Sequence, residues 1–220
     1  RLAVDGPGNL FVSGSVSHNA FKITPGGTVT EIIDASGDGV HSLVNATGIA
    51  VDASGNAYVA ALNSTAFKIT PGGVITQIID ASGDGTRALD AATGVAADDA
   101  GNVYVSGSIS SNVFRITPGG MISQIIDASG DGAHTLKGPF LWLATDSLGN
   151  VYVTGAGDNE NAFKIGPAIG HRVSRSVYRG SPAVGKAFRM TVRGQRDGNG
   201  QFTLPTVLPT GATSELTVER

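Results

Sequence analysis

Cysteine is absent from the 220 residues, which removes disulfides and thiolate metal sites while leaving the compartment open. Aromatic residues are only 6% of the chain, with a single Trp, and charged residues 15%. No apolar run approaches the ~20 residues that a membrane helix needs, so no membrane span is expected. There is no G-x-x-x-x-G-K-[ST], no H-E-x-x-H and no G-x-S-x-G ahead of a helix, so nothing points to a P-loop, a zincin or an α/β-hydrolase. The chain opens at Arg1 with no charged-then-apolar leader, so export is not legible from that end. What the sequence has in quantity is glycine, 32 residues, and enough apolar content (40%) for a packed core.

Charge is unevenly spread. Residues 1–168 carry 7 Lys/Arg against 15 Asp/Glu, and residues 169–220 carry 8 against 3. An acidic body is the wrong surface for phosphate contacts, so nucleic acid is not expected to bind there.

Internal repetition dominates the chain. Gly8-Asn9 recurs as Gly55-Asn56, Gly101-Asn102 and Gly149-Asn150, at spacings of 47, 46 and 48. Phe21, Phe67, Phe114 and Phe163 recur at 46, 47 and 49, and the block IIDASGDG starts at Ile32, Ile78 and Ile125. Three independent markers thus share one period.

Each unit reads as four short strands. In the second they are predicted at 48–51, 57–60, 66–69 and 74–79, separated by Gly-, Pro- and Asn-rich turns. The Thr-Pro-Gly-Gly turns suit type II geometry, with positive φ at the first glycine. A lone four-stranded unit cannot bury both faces, and stacking units around an axis solves that. The expected fold is therefore an all-β propeller of four-stranded antiparallel blades, at roughly 2–33, 47–79, 93–126 and from Leu141 to Ile165. Phe21, Phe67, Phe114 and Phe163 are expected between blades, together with Phe11, Tyr58, Tyr104 and Tyr152.

The series D-x-x-G-N-x-Y-V, N-x-F-K-I-x-P-G-G, I-I-x-x-x-G-D-G and G-I-A-V-D resembles NHL repeats. It is most similar to the bacterial secreted kind related to streptogramin-lyase-like propellers, and the resemblance covers residues 2 to about 165. It implies a propeller, an extracellular or periplasmic setting, and either a binding scaffold or an enzyme. Enzymes of that kind use a His general base and a metal-bound substrate at the propeller centre, and no isolated His/Glu pattern here matches theirs. Such propellers usually close with about six blades. Four visible units are therefore expected to form a partial ring, as a fragment or a truncated product, with exposed blade faces open to self-association.

The region 169–220 is expected to be an irregular basic tail. Within it, residues 171–177 suit a ragged fourth strand for the last blade, and 188–192 with 201–204 flank a hairpin turn at 196–200.

Two sets of side chains are candidates for a site. In the repeated D-A-S-G-D-G, the carboxylates Asp34, Asp38, Asp80, Asp84, Asp127 and Asp131 resemble the start of a calcium loop. The twelfth position, where a bidentate Glu belongs, holds Asn45, Ala91 and Gly138 instead. Carboxylates capping turn amides are therefore the expected use, with calcium or another divalent cation the ion such a loop would take and no other cofactor called for. The second set is His18, His41, Arg87, His134 and Trp142. His41, Arg87 and His134 stand at equivalent places in the loops between blades, and His18 in a second-to-third-strand loop that opens on the same face. Trp142 aligns near Gly48 and Gly94, either as a stacking platform in the channel or as a cap on a blade end. The His, Asp and Arg residues mostly follow the repeat, whereas an active site breaks its scaffold's symmetry; Trp142 is the one asymmetric large residue, and none of the set is assigned as catalytic. The expected function is a binding or scaffolding module for a protein or small ligand on the loop face. The alternatives are a metal-assisted lyase or hydrolase at the channel mouth, and a fragment without independent function.

Overall fold

The computed structural model describes residues 1–138, 141–155 and 161–166. The strand expected at 171–177, the hairpin around 188–204 and the tail as a whole lie outside the described residues.

All fifteen described elements are strands. Blade one comprises β1 (Leu2–Val4), β2 (Leu10–Gly14), β3 (Asn19–Ile23) and β4 (Val29–Ile33). Blade two comprises β5 (Ala46–Val51), β6 (Ala57–Ala61), β7 (Thr65–Ile69) and β8 (Ile75–Ile79). Blade three is built from β9 (Ala92–Ala97), β10 (Val103–Gly107), β11 (Asn112–Ile116) and β12 (Ile122–Ile126). Blade four shows β13 (Trp142–Thr145), β14 (Val151–Thr154) and β15 (Ala162–Ile165). Every sheet is an antiparallel meander in chain order, so the expected propeller blades are present with boundaries within a residue or two.

The hairpins correct one expectation. Positive φ falls on Gly27, Gly73 and Gly120, the second glycine of each Thr-Pro-Gly-Gly, and not on the first. Gly27 N–H donates to the Thr24 carbonyl and Thr24 N–H to that of Thr28, at 2.9 Å each. The turn is therefore type I followed by a left-handed glycine, which matches the strand twist better than a plain type II turn. Gly55, at φ 79, closes the Asp52–Gly55 turn in the same way.

Pairing between third and fourth strands slips by one residue at Ala20/Phe21, Ala66/Phe67 and Val113/Phe114. A bulge adds twist and re-aims the side chain beside it. Here it stands at the phenylalanine of the third strand, and Phe67 and Phe114 fill the first two spaces between blades. The first strand of each blade packs on the first and second strands of the preceding blade, giving face-to-face stacking in chain order. Three cores result, each between two consecutive blades: the first around Phe11, Val59 and Phe67, the second around Tyr58, Val105 and Phe114, the third around Tyr104, Val153 and Phe163. Phe67 and Phe114 are fully buried. Each such ring contributes ~1.5–3 kcal/mol over an exposed one, so the repeat stabilises itself through its spacers.

Candidate functional site

Three loops that join blades carry nearly all the candidate residues, and they are copies of one another. Each begins with an aspartate folded onto its own turn: Asp34 accepts from the Ser36 amide and hydroxyl, as Asp80 does from Ser82 and Asp127 from Ser129. The second aspartate holds the loop's far end. Asp38 accepts from the Val40 and His41 amides at 3.0 and 2.8 Å, Asp84 from Thr86 and Arg87 at 3.0 and 2.8 Å. Asp131 accepts from Ala133 and His134 at 3.0 and 2.6 Å. Asp38 and Asp84 also reach the next blade's outer strand, each taking the amide of Gln77 or Gln124 at 3.3 Å. Leu43, Leu89 and Leu136 are buried and plug each loop into a core.

This framework presents one polar side chain per loop. The His41 Nδ1 lies 3.1 Å from Asp38, the Arg87 guanidinium 3.3 Å from Asp84 and the His134 Nδ1 3.0 Å from Asp131. The three side chains remain 48%, 57% and 38% exposed, so each is oriented by its aspartate yet open to solvent. The hydrogen bonds from His41 hold the Asp38 carboxyl far below the usual carboxylate range. Those from His134 bring Asp131 down to about 2. Asp84 is lowered too: burial raises it, and the amides of Arg87, Thr86 and Gln124 outweigh that. The Ser82 hydroxyl and amide hydrogen bonds hold the Asp80 carboxyl below its ordinary value.

The aspartates accept from amide and hydroxyl hydrogens, which is the chemistry of a turn cap. Among the described residues no three His, Asp or Glu side chains are grouped to hold a metal ion.

His18 has a different task. At φ 56 its Nδ1 accepts the Asn45 amide at 2.9 Å, clasping the second-to-third-strand loop of blade one to the start of blade two. Ser64 does the same for Ala91 at 3.0 Å. These clasps place both sets of loops at one end of the blades, as expected. Trp142 lies in the inner strand of blade four, in register with Gly48 and Gly94, and the Arg1 guanidinium lies over its indole.

Two features escaped sequence reasoning. Asn112 and Asn161 donate side-chain N–H to the Ala88 and Thr135 carbonyls, tying each loop to the blade after it. At the opposite end, the Asp of D-x-x-G-N-x-Y accepts from the Asn side chain and the Tyr hydroxyl: Tyr58 to Asp52 and Tyr104 to Asp98 at 2.8 Å, Tyr152 to Asp146 at 3.0 Å. The spacing is visible in the repeat, where by itself it signals only a turn. Arg115, where the other blades have Lys22, Lys68 and Lys164, binds Asn102 through Nε and Nη2 at 3.1 and 2.9 Å. It lines a cleft of about 440 Å³ between the turns of blades three and four.

A family model for the SBBP beta-propeller repeat matches residues 75–115. No curated protein matches the chain. Among solved structures, virginiamycin B lyase from Staphylococcus aureus is similar with a TM-score of 0.58 at 16% identity, covering 84% of this chain and 56% of that one. A gluconolactonase from Xanthomonas campestris is similar at 0.56 and 15% identity, covering 82% and 62%. An auxiliary nutrient binding protein from Bacteroides thetaiotaomicron is similar at 0.54 and 13% identity, covering 75% and 37%. The chain thus spans little more than half the length of the lyase it matches. At these identities the likeness is one of fold.

Proposed function

We propose that the chain is a binding module, and that its loop end, carrying His41, Arg87 and His134, receives a protein or small ligand. One observation carries this reading: three equivalent exposed side chains, each fixed by its own aspartate on a loop plugged into the core. Preorganised polar groups on rigid loops bind with little ordering cost. The described histidines are each committed to their own neighbourhood, His18 to Asn45, His41 to Asp38 and His134 to Asp131, which suits a rim of contacts better than one converging acid–base pair. A nutrient binding protein among the similar folds fits the same reading, as does an extracellular or periplasmic setting for a Cys-free surface rich in Gly, Ser, Thr and Asn.

The test is a ¹⁵N-labelled sample titrated with calcium chloride, a panel of mono- and oligosaccharides, and short peptides. Saturable shifts confined to loops 34–45, 80–91 and 127–138, lost in the His41→Ala/Arg87→Ala/His134→Ala triple variant, are expected. Shifts centred instead on the turns at 98–101 and 146–149 would sink the reading.

A further inference from the structure

A repeat needs the same residues in every copy for its packing, and three departures from that sameness meet in the cleft between the turns of blades three and four. The basic residue of the third strand is Arg115, where the other blades have Lys22, Lys68 and Lys164. After the first aspartate of its turn, blade three has Asp99, where the others have Gly6, Ala53 and Ser147. One position further, blade four has Leu148, where the others have Pro7, Ser54 and Ala100. Arg115, Asp99 and Leu148 all line the cleft, whose volume of about 440 Å³ is that of a small-molecule site. A cleft beside the equivalent Tyr58 and Lys68 of blade two holds about 290 Å³ and has no acidic residue in its lining.

The guanidinium is held from behind. Arg115 Nε and Nη2 both donate to Asn102 Oδ1, and Asn102 in turn donates its amide and its Nδ2 to the buried Asp98 carboxylate at 2.8 Å each. Nη1 and the second hydrogen of Nη2 are left for another partner, and Nη1 has none among the described residues. That edge is a planar fork, the geometry that takes a carboxylate or a phosphate by two parallel hydrogen bonds. Asp98 is satisfied by Asn102 and the Tyr104 hydroxyl, whereas the exposed Asp99 has no hydrogen bond or ion pair among the described residues. Two carboxylates beside one guanidinium repel a phosphate dianion and favour a ligand that also carries a positive charge. Leu148, 75% exposed, adds an apolar surface on the cleft's other wall.

We propose that this cleft binds a free α-amino acid with an apolar side chain: Arg115 takes its carboxylate in a fork, Asp99 its ammonium and Leu148 its side chain. The three protein groups match the three substituents of such a ligand, and its zero net charge suits a cleft in which acid outnumbers base. The site stands at the opposite end of the blades from His41, Arg87 and His134, and it does not rest on the binding proposed for them.

The experiment titrates the ¹⁵N-labelled protein with L-leucine, and separately with N-acetyl-leucine, leucinamide and inorganic phosphate. Saturable shifts confined to residues 98–104, 115 and 147–149 are expected with L-leucine, half-complete at about 1 mM or below. N-acetyl-leucine lacks the ammonium and leucinamide the carboxylate, so each is expected to bind at least about tenfold more weakly, and phosphate not to saturate. Two variants borrow residues that other blades already carry, so both keep the fold. Arg115→Lys keeps the charge without the fork, Asp99→Ala removes the ammonium's partner, and each is expected to weaken L-leucine about tenfold or more. The proposal is overturned if L-leucine gives no saturable shift, or shifts centred on loops 34–45, 80–91 and 127–138. It is equally overturned if N-acetyl-leucine, leucinamide or phosphate binds as tightly as L-leucine, or if either variant binds it unchanged.

Discussion

Gly37 stands over the ring of Phe67: a Cβ at Gly37 would lie 3.1 Å from the Phe67 Cζ and 1.9 Å from the His41 carbonyl oxygen. Gly83 with Phe114 and Gly130 with Phe163 repeat the relationship. The loop that presents the candidate site is therefore also the lid of the core beneath it.

Glycines in these loops should be unequal. Gly83→Ala places a Cβ 2.0 Å from the Arg87 carbonyl oxygen and 2.8 Å from Phe114, at φ +64. It is expected to cost about 3 kcal/mol or more. Gly85→Ala, at φ +79 with nothing within 4 Å, meets only left-handed strain and should cost about 1 kcal/mol. Urea unfolding of the two variants side by side checks the contrast.

The spacer phenylalanines should separate by neighbourhood. Phe114→Ala empties a fully buried site between two blades and is expected to cost ~3–5 kcal/mol. Phe21→Ala, on the half-buried face of blade one, should cost well under half of that. Equal losses in thermal melts would mean that Phe21 is covered in solution.

Acid should unfold the protein through its turn aspartates. The Asn150 side-chain hydrogen bond, with the Asn150 amide, the Tyr152 hydroxyl and the Leu148 amide, brings Asp146 down to about 2. Asp131 is held at about 2 chiefly by His134. An unfolded aspartate titrates near ~3.9. The folded-state values are depressed, so the stabilisation is fully present above about pH 4 and is lost as pH falls toward 2. Melting temperature should therefore be flat above that window and drop within it. The drop should be shallower in Asp146→Asn, whose neutral side chain no longer contributes to the titration.

The tyrosine hydroxyls should differ with burial. Tyr104 and Asp98 are both buried, and burial followed by the hydrogen bond to Asp98 pushes the Tyr104 phenol above its usual value. Tyr104→Phe leaves a buried carboxylate one donor short and is expected to cost about 1.5–3 kcal/mol. Tyr152→Phe removes the same bond at a half-exposed position and should cost clearly less. Denaturant midpoints of the two variants decide the ranking.

Sequence alone determined the repeat, the strand order within each blade and most of the spacer residues, Phe21 and Tyr152 being the two that the structure leaves half-buried or exposed outside the cores. All three follow from local periodicity, because alternation, turn residues and a 46–48-residue period are written along the chain. The equivalence of His41, Arg87 and His134 was legible for the same reason. Tertiary structure decided what periodicity cannot carry. The one-residue shift of positive φ to Gly27, Gly73 and Gly120 depends on how each turn must twist to continue its hairpin. The use of Asp38 and Asp84 depends on the Gln77 and Gln124 amides, 39 and 40 residues away, which only stacking brings within reach. His18 reads in sequence as a rim residue, yet its ring nitrogen is taken by Asn45 of the next blade. Repeats specify each blade by local spacing, while the space between blades is filled by groups a full period apart, and their roles emerge only once the faces meet.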